Sequence, residues 1–250
     1  MDGEIADLLA ETFRSLGMNV ALGAGRAKVT VEDSGIRVEL GSGEVLNPEK
    51  VVFGAGRVGN TDGLGLEEAG VDTNERGLII VDEHYRTSAE WVYAAGDVIG
   101  PPALASVSME QGRVAACHAF NIPLKKRVDA LPPFGVYSIP EVSSVGMTEE
   151  AATAAGIPYA VSRGWFETNT RAAISGSTDG LIKLVFARED SRLLGVHVLG
   201  EHASELVHVG QAVINFRGPI DYFIHATFNV PTASEAYKYA AYDGLRAVGR

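Results

Sequence analysis

The sequence predicts an α/β region followed by an α+β domain built around an antiparallel sheet, and three observations carry that prediction. One amphipathic helical pattern and several short strand-like runs occupy the first 57 residues. A β-rich run, Trp91 to Ala95, ends in Gly96-Asp97 and leads into a second helical pattern. Beyond Leu131-Pro132-Pro133, short apolar runs alternate with helical stretches, the economical signature of a sheet flanked by helices.

The first helix is expected over roughly Asp2 to Leu16, with Ile5, Leu8, Leu9, Phe13 and Leu16 on its buried side. Short strands are expected around Val20, over Lys28 to Glu32, over Ile36 to Leu40 and at Val51-Val52-Phe53. A helical pattern runs from about Leu104 to Phe120, with Val107, Val114 and Ala115 at apolar spacing. In the last domain, strands are expected near Gly135 to Ser138, Tyr159 to Phe166, Leu181 to Phe186 and Leu193 to Leu199. Helices are expected near Glu149 to Ala155, Ala203 to Phe216 and Ala233 to Leu245.

The Trp91 to Asp97 segment carries the clearest chemistry. In an open α/β sheet, ligands sit beyond the carboxyl ends of strands, and this run has strand-like β-branched and aromatic content. Gly96 lets backbone approach a ligand, and Asp97 can accept a charge-assisted hydrogen bond from a sugar-like hydroxyl, worth roughly 1.5–3 kcal/mol. The alternative is an ordinary Asx turn at a strand end. The Gly/Pro turn and helix start that follow favour the ligand, because free helix N–H groups would face the same place. A reduced flavin, negative at its pyrimidine edge, suits that geometry.

With these residues placed, the chain resembles the pyridine nucleotide-disulfide oxidoreductase flavoproteins, a family that includes dihydrolipoamide dehydrogenase and glutathione reductase. Gly56-Arg57-Val58-Gly59-Asn60 is similar to the family's connection from its NAD domain back to its FAD domain. Asp82, Arg86-Thr87 and Tyr93 to Asp97 are similar to its second FAD motif. Phe134 to Gly146 with Thr148-Glu149, Gly180 to Leu184, Leu194 to Gly200 and Ala203 to Leu206 resemble its interface domain, and Pro231 to Glu235 its active-site tail. The resemblance implies a partial FAD/NAD(P)-binding Rossmann-like region followed by an α+β dimerisation domain. It divides the chain into 1–57 (end of the NAD(P)-binding domain), 58–128 (end of the FAD-binding domain) and 131–250 (interface domain). It also implies that Asp97 and Gly96 hold the ribityl chain of FAD, that Ala103, Leu104, Ala105 and Ser106 line the ring edge, and that Gly56 lies near NAD(P). Through 131–250 it implies a homodimer.

Gly54-Ala55-Gly56-Arg57-Val58-Gly59 also satisfies G-x-G-x-x-G letter for letter. A working dinucleotide fingerprint opens a helix. Here the chain continues into Asn60-Thr61-Asp62-Gly63-Leu64-Gly65, whose glycines oppose helix propagation, so the interdomain connection is the better reading. The family's two phosphate fingerprints and its Cys-x4-Cys pair have no counterpart here. The chain is therefore expected to be a fragment, or a product started at an internal methionine, that binds no cofactor alone and is least stable over 1–57, where sheet edges would lie unpaired.

Composition fits this picture. The chain has 250 residues, 46% hydrophobic, with 29 glycines. A net charge of −11 argues against nucleic-acid binding, and Lys125-Lys126-Arg127 reads as a solvated linker. There is no apolar run of membrane-spanning length and no secretory pattern. The single cysteine, Cys117, falls in a helical pattern and reads as a small buried residue. A cytoplasmic setting is expected.

One departure narrows the chemistry. Disulfide-reducing members of the family place a histidine before the proline that here is Pro231, oriented by a glutamate matching Glu235; this chain has Val230. Dithiol chemistry needs a proton carrier near neutral pH, which valine cannot supply, and His225 lies five positions away. Hydride transfer from NADH to flavin and on to NADP+ has no net proton change. The family's transhydrogenase branch resembles this chain at Gly56 to Asp62, Ala95 to Gly100, Thr227 to Thr232 and Ala240 to Leu245, and carries a non-histidine residue before the proline. No catalytic residue is therefore assigned. The alternatives are another family member that has lost its histidine, and a cofactor-free dimerisation module.

Overall fold

The computed structural model describes residues 1–249, which form two compact units: 1–18 together with the chain from 129 onward, and 19–128. Helix α1 (Gly3–Ser15) begins where expected, with the Asp2 side chain accepting a hydrogen bond from the Ile5 N–H and Arg14 in its last turn. The sequence grouped this helix with 19–57. The structure instead buries Ile5 with Val142, Leu181 and Leu199, so α1 shares a core with the C-terminal unit. Its apolar stripe finds a sheet face there, which anchors a part of 1–57 expected to be weakly held.

In the 19–128 unit, strands β1 (Lys28–Glu32), β2 (Gly35–Glu39) and β3 (Val45–Leu46) form an antiparallel sheet in the order β1-β2-β3. Gly35, at φ 132°, closes the β1–β2 turn in a conformation that favours glycine. No strand forms at Val20, at 51–53 or at 91–95. Val52 and Phe53 are 95% and 84% exposed; their β propensity is real, but no neighbouring strand offers a ladder. The Trp91 to Ala95 run pairs only through one Arg86–Tyr93 bridge, supported by Thr87 N–H to Val92 O and Ala94 N–H to Tyr85 O. A small core of Val71, Ile79 and Ala94 holds these turns. Helix α2 (Ala105–Ala119) follows, burying Val107, Gln111, Val114, Ala115 and Cys117.

The C-terminal unit is the antiparallel sheet with flanking helices that the sequence predicts. Its strands are β4 (Phe134–Val136), β5 (Val142–Gly146), β6 (Tyr159–Trp165), β7 (Leu181–Ala187) and β8 (Leu193–Leu199), in the order β4-β5-β8-β7-β6. Its helices are α3 (Glu149–Ala154), α4 (Thr170–Ser175), α5 (Ala203–Asn215), α6 (Asp221–His225) and α7 (Ala236–Ala247). Strand β5 escaped the sequence reading because Ser143 and Ser144 break its apolar run; Ser143 Oγ donates to Phe134 O. Helices α4 and α6 are too short to show periodicity.

Strands β7 and β8 are buried along their whole length. Ile182, Leu184 and Phe186 face one way, into a core with α5 and α7 residues such as Val207 and Tyr237. Leu181 faces the other way, against Ile5, and Val185 against Ala152 of α3. With both faces covered, the strand reads as a continuous apolar run broken only by Lys183. On the α7 side contact is close: a Cβ at Gly164 would come within 2.1 Å of Ala236 O.

Candidate functional site around Asp97

Asp97 opens a single 3-10 turn, 97–99, directly after Gly96 at φ 89°. Gly96 is held from behind, its N–H donating to Gln111 Oε1 of α2 across 2.7 Å in a buried setting. A Cβ there would come 3.3 Å from Ser108 Oγ. Both constraints fix the backbone that presents Asp97. The Asp97 carboxylate accepts from Arg57, with Arg57 Nη1 2.6 Å from Oδ2 and both side chains substantially exposed.

Arg57 and Asp97 face a cavity of about 830 Å³ that Gly56, Arg76, Pro101 and Ala103 also line. Gly56 adopts φ 104°, and a Cβ on it would meet no protein atom within 4 Å, so a ligand can approach this backbone closely. Arg76 arrives from a separate turn. Asn74 Oδ1 accepts from the Arg76 and Leu78 N–H groups, at 2.9 and 3.1 Å, and the Gly59 N–H donates to Arg76 O at 3.4 Å. Only glycine fits at 59, because a Cβ would lie 2.1 Å from Gly77 O. That close approach brings the turn at 76 to the same cavity as Gly56, and no local pattern around Arg76 signals it.

The structure therefore brings together Gly56, Asp97 and Ala103 of the residues singled out from sequence. Leu104, Ala105 and Ser106 do not line the cavity but form the cap and first residues of α2, where no side chain caps the helix. The G-x-G-x-x-G string opens no helix; no regular structure runs from 47 to 96 among the described residues. Asp82 is a turn residue: its Oδ1 accepts from the His84 and Arg86 N–H groups, both at 2.9 Å, and the Arg86 N–H leads in holding its carboxyl below the ordinary value.

The tail residues lie in the other unit. Val230 precedes a cis Pro231 and is 68% exposed. Glu235 ends a one-turn helix, 233–235, that continues into α7. His225 is exposed at the end of α6. Cys117 is buried and is the chain's single cysteine. No helix of the described residues is long and apolar enough to cross a membrane.

Two family profiles match this chain: pyridine nucleotide-disulphide oxidoreductase over residues 1–112, and the dimerisation domain of the same family over 132–241. The chain is 43% identical over 251 residues to the soluble pyridine nucleotide transhydrogenase of Marinobacter nauticus, covering 99% of this chain and 54% of that protein. It is 45% identical over 248 residues to the one of Azotobacter vinelandii, and 45% over 242 residues to the one of Mycobacterium tuberculosis. The chain thus spans about half the length of the curated relatives it matches. Among solved structures it is similar to the HOCl-induced flavoprotein disulfide reductase RclA from Escherichia coli, at a TM-score of 0.88 and 26% identity over 96% of this chain and 55% of that one. It is also similar to LpdA from Mycobacterium tuberculosis, at a TM-score of 0.84 and 28% identity over 96% and 52%.

Proposed function

Because the chain belongs to the pyridine nucleotide-disulphide oxidoreductase family, we propose that the Asp97 cavity is the ribityl and ring-edge half of an FAD site in a transhydrogenase that passes hydride from NADH to NADP+. The observation that carries this reading is the convergence of Asp97, Gly56 and Ala103 on one cavity, beside backbone with no Cβ. The donor set fits a flavin's sugar chain: an exposed carboxylate with acceptor positions left after its bond to Arg57, placed by a buried Gln111 anchor.

When bound, the flavin supplies the hydride acceptor and donor, and the protein's part is to hold and orient it. Asp97 would hold the flavin by accepting from a ribityl hydroxyl, and Ala103, on the same cavity wall, would line the space beside it. Gly56 leaves room for the pyridine nucleotide. The relatives carry the name transhydrogenase, and the tail agrees with hydride chemistry. Val230 offers no proton carrier. The similar RclA is named a disulfide reductase, and that chemistry has no equipment in this tail. We place the active assembly in the cytoplasm as a homodimer joined through 131–250, in keeping with the dimerisation-domain match.

Two measurements test the reading. The 250-residue chain by itself should be colourless as purified, and in the full-length protein Asp97→Ala should weaken flavin retention; unchanged retention there removes Asp97 from the site. The gene sequence upstream of Met1 should encode two glycine-rich fingerprints. A Cys-x4-Cys pair there would overturn the transhydrogenase assignment.

A further inference from the structure

We propose that His197 is the trigger of an acid-released latch: protonation of its imidazole frees helix α1 from the C-terminal sheet while the sheet stays folded. The proposal stands on the packing of α1 and is independent of the flavin reading.

The enclosed ring is the first argument. His197 is 1% exposed and stands opposite Lys183 in the β7–β8 register, so both side chains share the face that α1 covers. Its Nε2 donates to the Met147 carbonyl at 3.0 Å, which places the one N–H of the neutral ring there. Nδ1 is left with a lone pair and has no hydrogen-bond partner among the described residues. A second proton at Nδ1 would create a buried cation with an unsatisfied N–H, and burial already opposes that charge.

The charged groups around the ring are largely engaged with one another. Asp2 and Glu4 of α1 and Glu149 of α3 surround Lys183. Glu4 also holds Arg163, and Glu150 accepts from the Gly3 N–H. Lys183 and the Met1 amine both disfavour a further positive charge on the ring. Asp2 Oδ2 is the one carboxylate atom of the cluster that is buried and unbonded. It is not bonded to Nδ1, so the imidazolium finds no ready acceptor and gains most by reaching water.

What gives way is the third argument. Strands β7 and β8 are buried along their whole length, whereas α1 buries only Ile5 and Ala10. The chain that follows it, from 16 to 27, is almost entirely exposed. Lifting α1 therefore uncovers little apolar surface and lets water reach His197, Lys183 and Asp2 together, a local opening that leaves the sheet intact. Helix α1 lies in the stretch matched by the oxidoreductase profile, 1–112, and the sheet in the dimerisation-domain stretch, 132–241. The latch thus joins chain from both.

Amide hydrogen exchange is measured on the 250-residue chain at pH 7.5 and pH 5.5, corrected for intrinsic rates, in peptides from α1, β7 and β8. One pH unit below the ring's ordinary 6.5, proton linkage multiplies the opening equilibrium about tenfold. Protection of α1 should fall by about that factor at pH 5.5, with β7 and β8 unchanged. Glu4, whose carboxyl is held below 4.5, stays charged throughout. His197→Gln keeps an N–H donor for Met147 O without a titrating ring, and should abolish the drop. Glu4→Gln should lower α1 protection at both pH values and keep the ratio between them; loss of the ratio would make Glu4 the trigger and overturn the proposal. Equal losses in α1, β7 and β8 overturn it in favour of unfolding of the whole unit. Protection of α1 that is unchanged at pH 5.5 also overturns it, as does a rise, which would assign the proton to a bond between Nδ1 and Asp2. A drop that survives His197→Gln places the trigger elsewhere. The unaltered chain alone decides between release, global unfolding and tightening, should the His197 variant not fold.

Discussion

Lys183 Nζ donates to Asp2 Oδ1 across 2.7 Å, and neither side chain is exposed to solvent. The two residues are 181 positions apart. Lys183 stands in the middle of β7 on the face that α1 covers, and it also meets Glu149 at 2.5 Å and Glu4 at 2.8 Å. Arg163 of β6 adds a two-point contact to Glu4, at 2.6 and 2.8 Å. Helix α1 is therefore held on the sheet by charge as well as by Ile5.

Breaking this pair from one side should be costly. Removing one partner of a buried pair leaves the other charge uncompensated, typically about 3–5 kcal/mol. Lys183→Met strands Asp2 and its neighbouring carboxylates, and Asp2→Asn keeps the helix cap while deleting the charge facing Lys183. Both should lower the denaturation midpoint of the C-terminal unit, Lys183→Met the more. Urea unfolding checks this, and a shift below about 1 kcal/mol in both would reduce the pair to a surface-like contact.

The same cluster sets a pH dependence. Burial pushes the Glu4 carboxyl up, but hydrogen bonds from Arg163 and Lys183 outweigh it and leave the group below its ordinary 4.5. Its contribution is complete above 4.5 and is lost as pH falls through the depressed folded value. Burial opposes charge on Lys183 too, yet Asp2, Glu149 and Glu4 raise it above 10.5. That contribution is complete below 10.5 and is lost as pH rises through the raised folded value. His197 opposite it in β8 is lowered below 6.5 by burial, so unfolding takes up a proton and stability falls as pH drops below 6.5. Melting temperature should hold steady between these limits and fall in two acid stages. Glu4→Gln should flatten the lower stage alone, and His197→Gln the upper.

Gly164→Ala should destabilise the chain out of proportion to one methyl group. The new Cβ would sit 2.1 Å from the backbone oxygen of Ala236 and 3.0 Å from Ala240 N. Backbone cannot rotate away as a side chain can, so α7 must lift from β6, at the upper end of or beyond the roughly 1–3 kcal/mol of overpacking. Gly156→Ala, at a glycine with no atom within 4 Å of the added Cβ, is the control for loss of glycine itself, although its φ of 66° carries its own strain. Calorimetry should show the larger loss at 164.

These contacts mark how far the sequence could be read. Helix α1, helix α2 and strands β6 to β8 were legible because each announces itself within one local window. Asp97 was legible for the same reason, with Gly96 before it and a helix after it. Arg76 was not, because it reaches the cavity through the meeting of Gly59 and Gly77, which depends on tertiary approach. Lys183 could be read as a residue of a strand but not as an anchor, since its first partner lies at the other end of the chain. The runs at 51–53 and 91–95 have strand composition without strand neighbours, and composition cannot supply the missing ladder.

The Arg57–Asp97 pair separates stability from binding. With Arg57 and Asp97 side chains 74% and 47% exposed, the pair should contribute about 0–1 kcal/mol to folding. Asp97→Asn should therefore leave the melting curve nearly in place while weakening flavin retention in the full-length protein. A large drop in stability would instead make the pair a structural tie, and its place at the cavity incidental.

Val230→His tests the chemistry from the opposite direction. The position is open enough to accept an imidazole without repacking, since Val230 is 68% exposed and already precedes the cis Pro231. An added proton carrier is useful to thiol chemistry only if a dithiol is present to be protonated. Cys117 is buried in α2 and free, and the transhydrogenase reading expects no Cys-x4-Cys pair upstream of Met1 either. Introduced into the full-length protein, the variant should show no gain in reduction of lipoamide or of an aromatic disulfide over the unaltered protein. A substantial gain would mean that the base, rather than the thiol pair, was the missing part, and the hydride-only reading of the tail would have to be abandoned.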